Sequence, residues 1–298
     1  MIGLLRPHLR PPRRRLGPAR LSVPQAILLG LLVVLTVFPV YWMVVSSLKT
    51  NFDLLTGSRV SLLPDLGALQ LQNYVLMWQR LNLAIYVRNS LIVVGTATVL
   101  AVALASLSGF SMAYFRFRGA GVYSLAVTAT QLLPGIMFLL PVFLLFTQAQ
   151  QLTGLQIVNT HQGLILLYVA FFMPLSIFIL RSYFAGIPRE LVEAAQVDGT
   201  TIMGAFRRIV LPLSVPGLIA TATYVFLTAW DELLFAVVMT QSADTQTIPV
   251  GIRGYIGQQA GHYDLLMAAA TAVCVPPALI FLFLQRQMVS GLTAGAVK

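Results

Sequence analysis

Long stretches without a single charged residue dominate this sequence: 21–48, 89–115, 119–180, 209–230 and 265–285. A helix crossing a bilayer needs about 20 mainly apolar residues at 1.5 Å of rise each. Four of these runs are right for one crossing. The run at 119–180 is too long, and it is interrupted by the polar stretches Thr147-Gln-Ala-Gln-Gln-Leu-Thr-Gly and Asn159-Thr-His-Gln-Gly. It reads as two helices near 121–147 and 163–184, for six spans in all. Composition agrees, with 58% of residues apolar and 9% charged, against about 25% charged in ordinary soluble domains. A soluble enzyme, a disordered tail and a coiled coil are excluded. The expected fold class is an all-α integral membrane protein. Its expected division is a basic tail at 1–22, a six-span domain at 23–290 and a short tail at 291–298.

The net charge of +10 comes from 19 Lys and Arg against 9 Asp and Glu. Such an excess often points to nucleic acid, but here the basic residues fill short segments between apolar runs, as cytoplasmic loops do. No nucleic-acid partner is expected; the surrounding partner is membrane lipid. With six spans and the N-terminus inside, both termini are cytoplasmic. Fourteen basic residues then lie inside and five outside: Lys49, Arg59, Arg80, Arg88 and Arg253. The first run follows Arg6, Arg10, Arg13, Arg14, Arg15 and Arg20. It is longer than the apolar core of a signal peptide and continues into Tyr41-Trp42, so it reads as an uncleaved anchor.

Several chemistries are absent from the sequence. The lysines, Lys49 and Lys298, do not follow a glycine, which excludes a GxxxxGK[ST] phosphate loop. His8, His161 and His262 are scattered, and Cys274 stands alone, so no metal site is expected. If ATP powers this chain, another polypeptide binds it. Pro134, Pro141, Pro174, Pro216, Pro276 and Pro277 interrupt or edge the spans, each removing a backbone donor. Ala97, Ala101, Ala105 and Gly109 form a stripe of small residues suited to close helix packing.

The segment 186–216, GIPRELVEAAQVDGTTIMGAFRRIVLPLSVP, predicts a helix–turn–helix outside the bilayer. Pro188 and Glu190 suit a helix start. Asp198-Gly199 marks the turn, with Thr200 or Thr201 capping the next helix. Leu191, Ala194 and Ala195 share one face of the first helix. Ile202, Phe206, Ile209 and Val210 share one face of the second. Spacing alone leaves two readings open, a connector tucked against its own spans or a docking element for a cytoplasmic protein.

Glu193-Ala194-Ala195, Asp198-Gly199, Phe206, Leu211-Pro212-Leu213 and Pro216 resemble the EAA loop of binding-protein-dependent ABC importer permeases. Asn89-Ser90-Leu91, the stretch from Ala113 to Gly119, Trp230-Asp231-Glu232 and the ending from Gly291 to Lys298 resemble the carbohydrate branch, of maltose-transporter G-type. The resemblance implies a type I permease fold and import of a sugar, an oligosaccharide of maltose or trehalose kind, or a polyol. It implies three partners: a second, F-type permease, a dimer of ABC ATPases and an extracytoplasmic solute-binding protein. No cofactor would be bound by this chain; ATP and Mg²⁺ would be used by the ATPase. Glu190, Glu193, Ala194, Ala195, Asp198, Gly199 and Phe206, within a loop of about 186–212, would couple to it. By the same analogy the tail at 295–298 reaches between the ATPases, and the loop at 241–262 probes the binding protein. The implied location is the bacterial inner membrane.

Trp230, Asp231 and Glu232 fall about two-thirds of the way across the fifth span. Ionisable groups at such depth face a cavity or a partner. They are candidates for the substrate path, with a contact to the partner permease as the other reading. An ion-coupled secondary transporter would also explain intramembrane acids, but it has no need of the cytoplasmic hairpin.

Overall fold

The computed structural model describes residues 22–56, 62–63, 66–115, 117–258 and 261–296. The N-terminal basic stretch to residue 21 and the last two residues lie outside these, so the expected N-terminal anchor arm and the extreme tail are not placed. Among the described residues every regular element is helical. In chain order they are α1 (Val23–Ser47), α2 (Asn51–Thr56), α3 (Asn73–Arg80), α4 (Leu83–Tyr114), α5 (Ala120–Leu132), a 3₁₀ turn (Gly135–Phe138), α6 (Leu139–Thr153) and α7 (His161–Ala185). Then come α8 (Arg189–Val197), α9 (Ile202–Ala205), a π turn (Phe206–Val210), α10 (Leu211–Leu213), α11 (Val215–Trp230), α12 (Leu234–Met239), α13 (Ile248–Gln258) and α14 (Tyr263–Ala296).

Five helices are long and apolar enough to cross a bilayer: Val23–Ser47, Leu83–Tyr114, Gly135–Thr153, His161–Ala185 and Tyr263–Gln285. A sixth crossing is the pair Ile202–Leu213 and Val215–Trp230 if it is taken as one span, but the pair is bent by 77°. The bend has a local cause. Pro212 and Pro216 supply no backbone N–H, which deprives the carbonyls of Arg208 and Pro212 of their helical partners. The sequence reading that began this span at Ile209 is therefore corrected. Residues 209–213 belong to the helix on the far side of the bend, and the straight part begins at Val215.

Two further boundaries differ from expectation. The third span is not one helix to 147. It stops at Leu132 and restarts through the turn Gly135–Phe138, continuing to Thr153. Pro134 cannot continue a helix and biases Leu133 toward extended backbone, observed at φ −90°, ψ 134°. The loop expected at 241–262 contains the helix α13.

The core is the α4–α7 pair. Ala97, Ala101 and Ala105 are fully buried. A methyl group added at Gly109 would meet the Arg181 N and Ile177 O of α7 at 3.0 and 3.2 Å. The small-residue stripe thus lets these two helices touch along their length. Around this pair, one apolar cluster joins α4, α7, α11 and α12, a second holds the hairpin end and a third holds the opposite end.

Candidate functional site

The hairpin forms as its sequence dictates. Its first helix, α8, starts after Pro188 with Glu190 in the first turn. Asp198 is the C-cap and Gly199 follows at φ +84°, a left-handed conformation that disfavours residues with a Cβ. Of the two threonines, Thr201 caps α9, its hydroxyl accepting from the Gly204 N–H at 3.1 Å.

One side of the hairpin is fastened to the spans. Val192, Phe206 and Val210 are buried. The Phe206 ring lies 4.6 Å from that of Phe110 on α4 and 6.1 Å from that of Phe184 on α7, centroid to centroid. Arg189 donates to the Ala113 carbonyl of α4 at 3.0 Å. Phe206 is therefore an anchor beneath the hairpin, not part of its outer surface. The outer side carries Glu190, Glu193, Ala194, Asp198 and Gly199, all exposed, with Ala195 half-buried. Among them stand Leu191, Met203 and Val197, the last 88% exposed. An apolar strip framed by acids is thereby presented away from the spans.

The second group is split by the structure. Trp230 is buried and donates its indole N–H to the Val273 carbonyl of α14 at 3.3 Å. That carbonyl is available because its helical partner position, four residues on, is Pro277. The ring stacks on Phe226 at 5.4 Å, so no face is open to a sugar here. Glu232 is half-buried. It accepts from the Tyr168 hydroxyl at 2.8 Å and from the Phe235 and Ala236 N–H groups at 2.9 and 3.1 Å, which caps α12. Asp231 alone is exposed. Of the three path candidates, one is free to meet a ligand and two are committed to structure.

Sequence reasoning missed the ties that organise the end opposite the hairpin. The Asn159 side-chain Oδ1 accepts from Gln241 N, Ser242 N and the Thr245 hydroxyl at 2.8, 3.0 and 2.7 Å. Asn89, fully buried on α4, donates to the Ala243 and Gln246 carbonyls at 3.2 and 2.9 Å. Ser90 accepts from Ile248 N at 2.9 Å. Asn159 stood in the sequence only as part of a polar interruption. Its positive φ of 59° is a conformation asparagine tolerates better than most residues, and that was the available signal. No group of His, Cys, Asp and Glu suited to a metal ion occurs among the described residues.

Comparison with known proteins agrees with this architecture. Residues 101–293 match the family described as binding-protein-dependent transport system inner membrane component. The diacetylchitobiose uptake system permease protein DasC of Streptomyces coelicolor is 34% identical over 262 residues, 88% of this chain and 92% of that protein. The trehalose/maltose transport system permease protein MalG of Thermococcus litoralis is 34% identical over 271 residues, 90% of this chain and 94% of that one. Among solved structures, a bacterial ABC transporter that imports the acidic polysaccharide alginate superposes with a TM-score of 0.76. It has 17% identity and covers 89% of this chain and 95% of its own, a likeness of fold. With a fold of bundled apolar helices, a hairpin fastened to them from one side, and these matches over most of its length, the chain belongs to the family of inner-membrane components of binding-protein-dependent transport systems.

Proposed function

We propose that this chain is a permease subunit of an ATP-driven importer for a sugar, an oligosaccharide of maltose or trehalose kind, or a related polyol. It sits in the bacterial inner membrane with both termini in the cytoplasm and forms half of the translocation path beside a second, F-type permease. The hairpin then faces the cytoplasm, where a dimer of ABC ATPases binds ATP and Mg²⁺. A solute-binding protein delivers substrate to the opposite side. The family supports the transport role, and relatives named for diacetylchitobiose and for trehalose and maltose support the carbohydrate class.

The observation that carries the coupling role is the two-sided hairpin. Phe206 and Val192 fix it to α4 and α7, while Leu191, Ala194, Val197 and Met203 face outward. A movement of the ATPases against that strip would pass through the aromatic anchor into both core helices. Asp231, exposed beside the break after α11, is the candidate acceptor for substrate hydroxyls in the path. An ion-coupled carrier leaves the outward strip unexplained.

Gly199→Val tests the coupling. A β-branched residue at φ +84° costs about 1–2 kcal/mol, and no neighbour lies within 4 Å of the added Cβ, so the spans are undisturbed. The tagged variant, extracted in mild detergent after co-expression with its operon partners, inserts normally but retains less ATPase than the parent. Full retention would remove the hairpin from the coupling role. Sugar uptake by this chain alone, driven by a proton gradient without ATP, would overturn the whole reading.

A further inference from the structure

Three consecutive residues, Trp230, Asp231 and Glu232, lie where α11 ends and before α12 begins. The 16 residues of α11 carry the chain about 24 Å from the 77° bend before Val215 at 1.5 Å per residue. An interruption within a span frees backbone groups, which must find partners in the protein or line a water-filled cavity. The first and third residues of the triplet supply side-chain ties in different directions. Trp230 donates to the carbonyl on α14 that Pro277 leaves free. Glu232 takes up the Phe235 and Ala236 N–H groups and the hydroxyl of Tyr168 on α7. The residue between them, Asp231, is exposed.

A second interruption meets this one. The turn Gly135–Phe138 follows the break at Pro134 in the third span. An added Cβ at Gly135 would lie 3.3 Å from the Phe171 ring and 3.9 Å from that of Phe235. These two rings are themselves 4.5 Å apart. Tyr168 and Phe171, one helical turn apart on α7, thus receive both broken spans. Discontinuous helices of this kind line substrate sites in transporters, where irregular backbone can face a cavity.

We infer that Glu232 is a positioning residue: its hydrogen bonds to Tyr168 and to the start of α12 hold the α11–α12 break in the form that presents Asp231 to the path. This rests on the reading of Asp231 as a path residue. The carboxylate suits the task because it is acceptor-only when ionised and can serve three donors from two oxygens. Removing it leaves two N–H groups and a buried phenol to find other partners, and the break can relax. Asp231 already occupies an open position, so redistribution of the break lowers its accessibility.

The test uses Asp231→Cys in a Cys274→Ser background, since Cys274 is exposed. The chain is co-expressed with its permease and ATPase partners. The probe is a charged, membrane-impermeant methanethiosulfonate reagent applied to intact spheroplasts. The cysteine at 231 reacts readily in an otherwise unaltered chain. Glu232→Ala slows the reaction roughly tenfold, the scale set by loss of hydrogen bonds to a charged group. Glu232→Gln can keep its amide oxygen at the Oε2 site, where it serves the Ala236 N–H and the phenol, and loses only the Phe235 N–H tie at Oε1, so it stays within about threefold of the parent. Tyr168→Phe, which removes one bond and keeps the ring, falls between them and serves if Glu232→Ala fails to assemble with the ATPase. Unchanged reactivity in both Glu232→Ala and Tyr168→Phe overturns the inference, and equal slowing by Glu232→Gln overturns its hydrogen-bond basis. An unreactive cysteine at 231 in the otherwise unaltered chain overturns the path reading beneath it, a result distinct from either.

Discussion

At Gly217 the missing side chain is what allows α11 to lie against α7. A Cβ there would come 2.7 Å from both Cδ atoms of Tyr183, close enough to force that half-buried ring to move. Overpacking of this sort costs about 1–3 kcal/mol. Gly217→Ala should therefore lower the melting temperature of the detergent-solubilised protein. Gly95→Ala, in the middle of α4 with no atom within 4 Å of the added methyl, is the matched control. There the better helix propensity of alanine should leave stability unchanged or raise it by up to about 1 kcal/mol. Equal melting of the two variants would mean that α11 and α7 are less tightly joined than their backbones indicate. Neither glycine stood out in the sequence, because spacing along a helix does not reveal which neighbour's ring will cover it.

Among the elements, α14 shows how an internal proline becomes a docking point. Pro277 leaves the Val273 carbonyl without its helical partner, and the Trp230 indole N–H takes its place at 3.3 Å. A double-mutant cycle separates this tie from ordinary ring packing. Trp230→Phe removes the donor and should cost about 1 kcal/mol beyond the loss of ring contact. In a Pro277→Ala background the restored backbone N–H satisfies the carbonyl, and that part of the cost should disappear. Additivity within about 0.5 kcal/mol in detergent unfolding would show that the tie contributes nothing. The sequence made much of this level legible. The apolar runs located the spans, Asp198-Gly199 located the turn of the hairpin, and the small-residue stripe located a packing face. The rest depended on partners far away in the chain. Nothing local to Trp230 or Glu232 says that an α14 carbonyl and an α7 phenol will claim them, so both read as path residues beside Asp231. Residues 209–213 read as span because they are apolar, whereas the 77° bend is a property of backbone donors lost at two prolines.

For the whole molecule, the distribution of charge predicts orientation. Fourteen basic residues fall on the side assigned to the cytoplasm and five on the other, the asymmetry that directs insertion. Green fluorescent protein fused to either terminus should therefore fluoresce, and alkaline phosphatase fused there should be inactive. Phosphatase inserted after Asp244, in the segment between α12 and α13, should be active. The opposite pattern would invert the topology and put the hairpin beyond reach of an ATPase. The most apolar stretches of α1 and of the span Gly135–Thr153 contain no buried residue. Their surfaces are left for lipid or another chain to cover.

The α4–α7 pair has a consequence for how such a protein can work. Phe110 and Phe184 near one end grip the hairpin through Phe206. Asn89 at the start of α4, and Asn159 just before α7, grip the segment from Gln241 to Gln246 at the other. Close backbone contact at Gly109 leaves the two helices little room to slide past each other. The pair is thus a single two-ended beam, with a handle at each tip. A beam cannot swing at one tip alone: whatever tilts the hairpin must sweep the far segment through a compensating arc. In a permease that opens to each side in turn, one such pair of helices would link the two sides without a separate gate at each.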